Sequence, residues 1–136
     1  MQVELVSPEG ILYSGEADMV ICRTVGAGDI AFMAGHVPFI GSLAIYPVKV
    51  VTPEGATQLI AVHRGFVEVA HDKVTILSDV AELPEHIDTD RARQALDRAN
   101  AELRAAPDSA EAAAALRRAE VRLEVAGAPA GARGGH

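Results

Sequence analysis

The hydrophobic period of this chain changes once, between residues 85 and 88, and that break limits the fold more than any other feature. Before it, apolar residues alternate in short runs. Gln2-Val3-Glu4-Leu5-Val6 is the clearest, and residues 19–22, 30–33, 48–51, 57–62, 66–69 and 74–77 read as further strands. Pro8-Glu9-Gly10, Pro53-Glu54-Gly55 and His71-Asp72 supply turns between them. Many short strands with no helix between them predict a sandwich or flattened barrel. After the break, Ala92, Ala95, Leu96, Ala99 and Leu103 form one stripe at helical spacing, and Ala112, Ala115, Leu116, Ala119 and Leu123 form another. Asp88 suits the N-cap of the first helix, and Pro107 ends it. Asp108 with Glu111 reads as an acidic capping box for the second. Two such stripes joined by a short turn make an antiparallel helical hairpin, each helix roughly 25 Å long. Alanine stripes bury little area, so the hairpin is expected to be weakly held.

The expected organisation is therefore α+β: a sandwich over residues 1–85, a hairpin over 86–126 and a disordered tail over 127–136, where no pattern remains. Hydrophobic residues make up 49% of the chain but aromatics only 4%, so the core is aliphatic. The net charge of −7 argues against nucleic acid as a partner. Cys22 is the single cysteine, so it has no intrachain partner and reads as a small core residue. No apolar run approaches the ~20 residues of a membrane helix, and no basic-then-apolar leader opens the sequence. Direct membrane insertion is not expected.

Candidate chemistry is sparse. Gly26-Ala27-Gly28-Asp29-Ile30-Ala31 fits a dinucleotide-binding spacing, but Gly35 and Pro38 interrupt the helix that such a site requires, so a turn is expected. His36, His63, His71, His86 and His136 share no metal-ligand spacing and read as surface or turn residues. No serine sits in a nucleophile elbow, so neither catalysis nor a metal is expected. The hairpin arginines admit two readings. Arg118 and Arg122, with Glu111 and Glu120 nearby, fit a solvated face with local ion pairs. Alternatively, Arg91 and Arg98 lie on one face of the first helix, and Arg118 and Arg122 on one face of the second. An antiparallel hairpin brings these pairs together at its open end, as a phosphate clamp would.

Several ordered segments resemble the epsilon subunits of F-type ATP synthases. They are Gly28-Asp29-Ile30 followed by Gly35-His36-Val37-Pro38; Gly65-Phe66-Val67-Glu68-Val69 with Val74-Thr75-Ile76-Leu77 and Ala81-Glu82; and Ile87-Asp88-Thr89-Asp90-Arg91-Ala92, which matches the I-D-x-x-R-A motif. Arg64 and Ala31 depart from it, standing where relatives usually or often have glycine. The resemblance implies an antiparallel sandwich of about ten strands that packs on the gamma subunit and the c-subunit ring, with Asp29 and His36 at loop positions near the ring. It implies a non-catalytic rotor subunit, peripheral on the cytoplasmic face of a bacterial plasma membrane. It also implies a hairpin that either folds onto the sandwich or extends to the alpha/beta hexamer and blocks ATP hydrolysis. In some relatives ATP binds the folded hairpin as a regulatory ligand. The matching residues here are Glu82, Asp88, Arg91, Ala92, Arg98, Arg118 and Arg122. A free-standing nucleotide sensor is the competing reading.

Overall fold

The computed structural model describes residues 1–127, so nearly all of the expected disordered tail lies outside the described residues. Eight strands come first: β1 (Gln2–Ser7), β2 (Gly10–Glu16), β3 (Met19–Thr24), β4 (Gly28–Met33), β5 (Phe39–Val51), β6 (Thr57–Ala70), β7 (Lys73–Leu77) and β8 (Ala81–Glu82). A 3-10 turn at Pro84–His86 leads into α1 (Thr89–Ala105) and α2 (Ala110–Val125). The strands join in the order β2-β1-β7-β6-β5-β3-β4, with β8 on β6.

Three expectations are corrected. The sheet is not wholly antiparallel, because β1 runs parallel to β7 from Gln2↔Lys73 to Val6↔Leu77. Parallel neighbours need a long connection, and the intervening strands supply it. Next, the described residues form eight strands rather than about ten, since β5 and β6 are 13 and 14 residues long and continue through a bend where shorter strands would break. Finally, β2 and residues 39–47 of β5 are strand that alternation did not reveal. Gly15, Gly41 and Pro47 dilute the pattern there.

The bend lies at Ala44 and Arg64, which the register skips between Leu43↔Gly65 and Ile45↔His63. Arg64 takes a φ of 73° and Gly65 a φ of 150°, and the Ser78 hydroxyl donates to the Arg64 carbonyl at 2.6 Å. The bend lets the start of β6 pair with β8 and its end with β7. The segment 26–31 is a turn entering β4, so no helix opens there to receive a pyrophosphate and the dinucleotide alternative falls. Val3 and Leu5, Val20 and Cys22, Ile60 and Val62, and Val74 and Ile76 point into one core together with Phe32. Burial pushes the Cys22 thiol up to about 12, as befits a core residue.

In the hairpin, the Asp88 carboxylate accepts the Arg91 backbone N–H at 3.1 Å and caps α1. The cap of α2 is Ser109, whose hydroxyl accepts from the Ala112 N–H at 3.1 Å; the expected Asp108–Glu111 box does not form. Pro107 and Asp108 are spent in the turn, closed by the Ser109 N–H donating to the Ala106 carbonyl. Ala92, Leu96, Ala119 and Leu123 form the seam between the helices. A second apolar face of α2 seats Val121 and Val125 on Ile45 and Ala61 of the sandwich.

Gly65 tests the bend. A Cβ at this position would collide with the Leu77 carbonyl in a backbone region that side chains rarely adopt. Gly65→Ala is expected to cost at least about 2 kcal/mol in chemical denaturation. Arg64→Gly, which relieves a left-handed residue, is expected to be neutral or stabilising by up to about 1 kcal/mol.

Candidate functional site

A cleft of about 350 Å³ opens where the hairpin's free end meets the sandwich. Three pieces of chain build it. The short β8 presents Glu82, the first two turns of α1 present Asp88, Arg91, Ala92 and, one turn on, Arg98, and the last turn of α2 presents Arg122. These are six of the seven residues read from the sequence. Arg118 is the seventh, and it does not line the cleft. It lies one turn nearer the hairpin tip, roughly 6 Å along the axis from Arg122. The pairing of Arg118 with Arg122 on one helical face was legible, but the end of the cleft was not.

Glu82 is the centre of the site. Its Oε1 accepts from Arg122 Nε at 2.7 Å and from His63 Nε2 at 3.1 Å, so β6, β8 and α2 meet on one oxygen. Burial alone raises the carboxyl's pKa, but the hydrogen bonds from His63 and Arg122 and the Arg122 charge outweigh it, and the net shift is downward. The carboxylate therefore stays ionised in the docked chain. His63 is buried in β6 rather than exposed, which corrects the surface reading, and its Nδ1 finds no partner among the described residues. The Asp88 carboxylate faces the cleft but already caps α1, so the N-terminal dipole of that helix adds to the positive field of the arginines. Arg91, Arg98 and Arg122 oppose Glu82 and Asp88, an arrangement suited to an anion larger than a single carboxylate. At 350 Å³ the cleft falls in the size range of small-ligand pockets.

His86 and Gln94 also line the cleft, and neither was singled out from the sequence. Arg117 was missed as well. It pairs with Glu120 at 3.1 Å, the carboxylate expected to face Arg118 and Arg122, and its Nε donates to the Ile45 carbonyl at 3.3 Å. The two expected partner-contact residues sit away from the cleft at opposite ends of β4. Asp29 holds Arg23 through two hydrogen bonds of 2.7 and 3.1 Å, which draw its carboxyl below the usual range. His36 packs edge-on against Phe32, with ring centroids 4.9 Å apart.

Residues 1–84 match the β-sandwich domain of the ATP synthase delta/epsilon chain, and residues 85–127 match its long α-helix domain. The chain is 42% identical over 127 residues to the ATP synthase epsilon chain of Shouchella clausii, covering 93% of this chain and 94% of that one. It is 44% identical over 123 residues to the epsilon chain of Streptomyces griseus, covering 90% and 92%. Its fold is similar to a chain in the Euglena gracilis mitochondrial ATP synthase, with a TM-score of 0.67 and 24% identity over 92% of this chain and 76% of that one. The chain belongs to the ATP synthase delta/epsilon family.

Proposed function

We propose that this chain is a non-catalytic central-stalk subunit that links proton-driven rotation to ATP synthesis and restrains ATP hydrolysis through its hairpin, with ATP as the signal that keeps the hairpin folded. One observation carries the nucleotide part: the cleft draws its arginines from both helices and its Glu82 from the sandwich. A polyphosphate held there touches all three elements, and it touches them only while the hairpin is docked. Binding therefore stabilises the docked form by RT ln(1 + [L]/Kd) and leaves the open form unaffected. ATP is the regulatory ligand in this reading, and the chain holds no resident cofactor. Released, the hairpin is free to extend toward the alpha/beta hexamer and act as a brake.

The partner reading has its own support. Ile40, Phe66 and Leu77 expose 73%, 56% and 49% of their surface, more apolar area than a lone sandwich needs to show. Phe66 and Leu77 also line a broad groove of about 1210 Å³ beside the first turns of α2. This surface suits the gamma subunit, while Asp29 and His36 suit the c-subunit ring. No described helix is long and apolar enough to cross a membrane, so attachment through those partners, on the cytoplasmic face of a bacterial membrane, accounts for a peripheral position. A free-standing sensor has no use for such an apolar face.

Calorimetric titration with ATP is expected to give one site per chain. Arg91→Ala and Arg122→Ala should each weaken it by about 1.5–3 kcal/mol, as loss of a charge-assisted hydrogen bond predicts. No heat and no thermal stabilisation at several millimolar ATP returns the arginines to a solvated face. In the reconstituted enzyme, deleting residues 88–126 is expected to raise ATP hydrolysis while the sandwich stays bound; an unchanged rate contradicts a braking role.

A third expectation concerns acid. Glu82 titrates below the ordinary glutamate value, so its contribution to docking is complete above about pH 4.3 and is lost as pH falls through its lower folded value. Without nucleotide, Glu82→Gln should cost about 1–3 kcal/mol of hairpin stability at pH 7 and little at pH 2. Equal losses at both pH values, read from the helical signal during denaturation, would contradict this.

A further inference from the structure

The hairpin meets the sandwich at a second polar contact, remote in sequence from the cleft residues on β8 and α1. Tyr46 of β5 carries two guanidinium groups: Arg23 of β3 lies 3.8 Å from the ring centroid and Arg117 of α2 lies 5.0 Å from it. Both distances fall within the range of cation–π attraction. Arg117 also donates to the carbonyl of Ile45, the neighbour of Tyr46. Two like charges on one ring repel each other, and each has its own carboxylate to offset this. Asp29 takes Arg23 through paired hydrogen bonds, and Glu120 takes Arg117 at 3.1 Å. Arg23 and Asp29 are partly exposed, with side-chain exposures of 40% and 49%, so a group outside the chain can reach them.

We infer that Arg117 and Tyr46 form a second latch for the hairpin, independent of the nucleotide cleft, and that Asp29 sets its strength by neutralising Arg23. While Asp29 holds Arg23, Arg117 sits on Tyr46 against little net repulsion. Drawing Asp29 away leaves Arg23 as a bare cation beside Arg117 and loosens α2. Asp29 stands just past the turn between β3 and β4, on the far side of Arg23 and Tyr46 from the hairpin. Its environment thus reaches the hairpin through three side chains in contact, with no movement of the sandwich core. A basic group approaching Asp29 competes with Arg23 and acts in the same direction as removing the carboxylate. The latch itself requires neither ATP nor a partner.

Amide hydrogen exchange on the full chain, without nucleotide, tests this. In Asp29→Ala, the α2 amides around Val121 and Val125 are expected to exchange about two- to fivefold faster than in the wild type. The core amides of β1 and β7 should be unchanged, which also reports that the sandwich is intact. The acceleration should shrink in 1 M salt, where exposed charges are screened beyond about 3 Å. Removing the repelling cation as well, in Asp29→Ala with Arg23→Ala, should return α2 to near the wild-type rate. If Asp29→Ala disturbs the core amides, Asp29→Asn with the same Arg23 pairing serves instead. Wild-type exchange in the single variant, or a double variant as fast as the single, overturns the inference.

Discussion

A single carboxylate oxygen, Oε1 of Glu82, receives hydrogen bonds from His63 of the sandwich and from Arg122 of the hairpin. The docked state depends on this contact because the apolar interface around it is thin. The helix–helix seam has two buried leucines, and its other buried residues, Ala92 and Ala119, each remove little apolar surface from water. Against the sandwich, α2 buries only Val121 and Val125 in the cluster with Ile45 and Ala61. With so little apolar area, the proposed docked and open forms are expected to differ by only a few kcal/mol, of which one ion pair is a large share. The pair is also costly to half-remove, since either partner left alone is a partly buried charge that has lost its opposite charge, and Glu82 would keep only the His63 hydrogen bond.

In the proposed function the same oxygen joins stability to recognition. The cleft has no existence apart from docking: β8 contributes Glu82, α1 contributes Asp88 and Arg91, and α2 contributes Arg122. An open hairpin separates these groups. Three arginines facing two carboxylates leave a cationic surplus that an anion can neutralise, and the N-terminus of α1 adds to that field. On the proposed reading, a ligand here would work as a clamp between parts of the chain. In the proposed function it is this property, rather than any reactive group, through which nucleotide concentration would set the hairpin's state. The Tyr46 cluster adds a hold on the same helix that does not involve the ligand.

Much of this was legible in the sequence, for identifiable reasons. The period break, the Asp88 cap and the Pro107 stop depend on local backbone chemistry, and all stand in the structure. The run Leu59-Ile60-Ala61-Val62 does not alternate, which is the mark of a strand covered on both faces; Ile60 and Val62 face the core while Ala61 meets α2. His63 continues that run, and this was the available signal that it is buried. Other features depend on contacts between residues far apart in the chain. The parallel β1–β7 pairing, the bend at Arg64 and the placement of Arg117 over Tyr46 leave no local pattern. Val121 and Val125 lie outside the alanine–leucine stripe of α2, so the face that docks on the sandwich was hidden behind the face that makes the hairpin. Arg118 was grouped with Arg122 by spacing, and spacing alone did not show that the cleft lining stops at Arg122.

The central claim is that the cleft and the docked hairpin are one equilibrium. Tryptic cleavage at Arg117 and Arg118, which do not line the cleft, tests it across a range of ATP concentrations. When opening and closing are fast, cleavage follows the population of the open form. The account predicts that above the dissociation constant the rate falls about tenfold for each tenfold rise in ATP. Saturating ATP, with binding verified by its heat, that leaves cleavage at these arginines unchanged would contradict it.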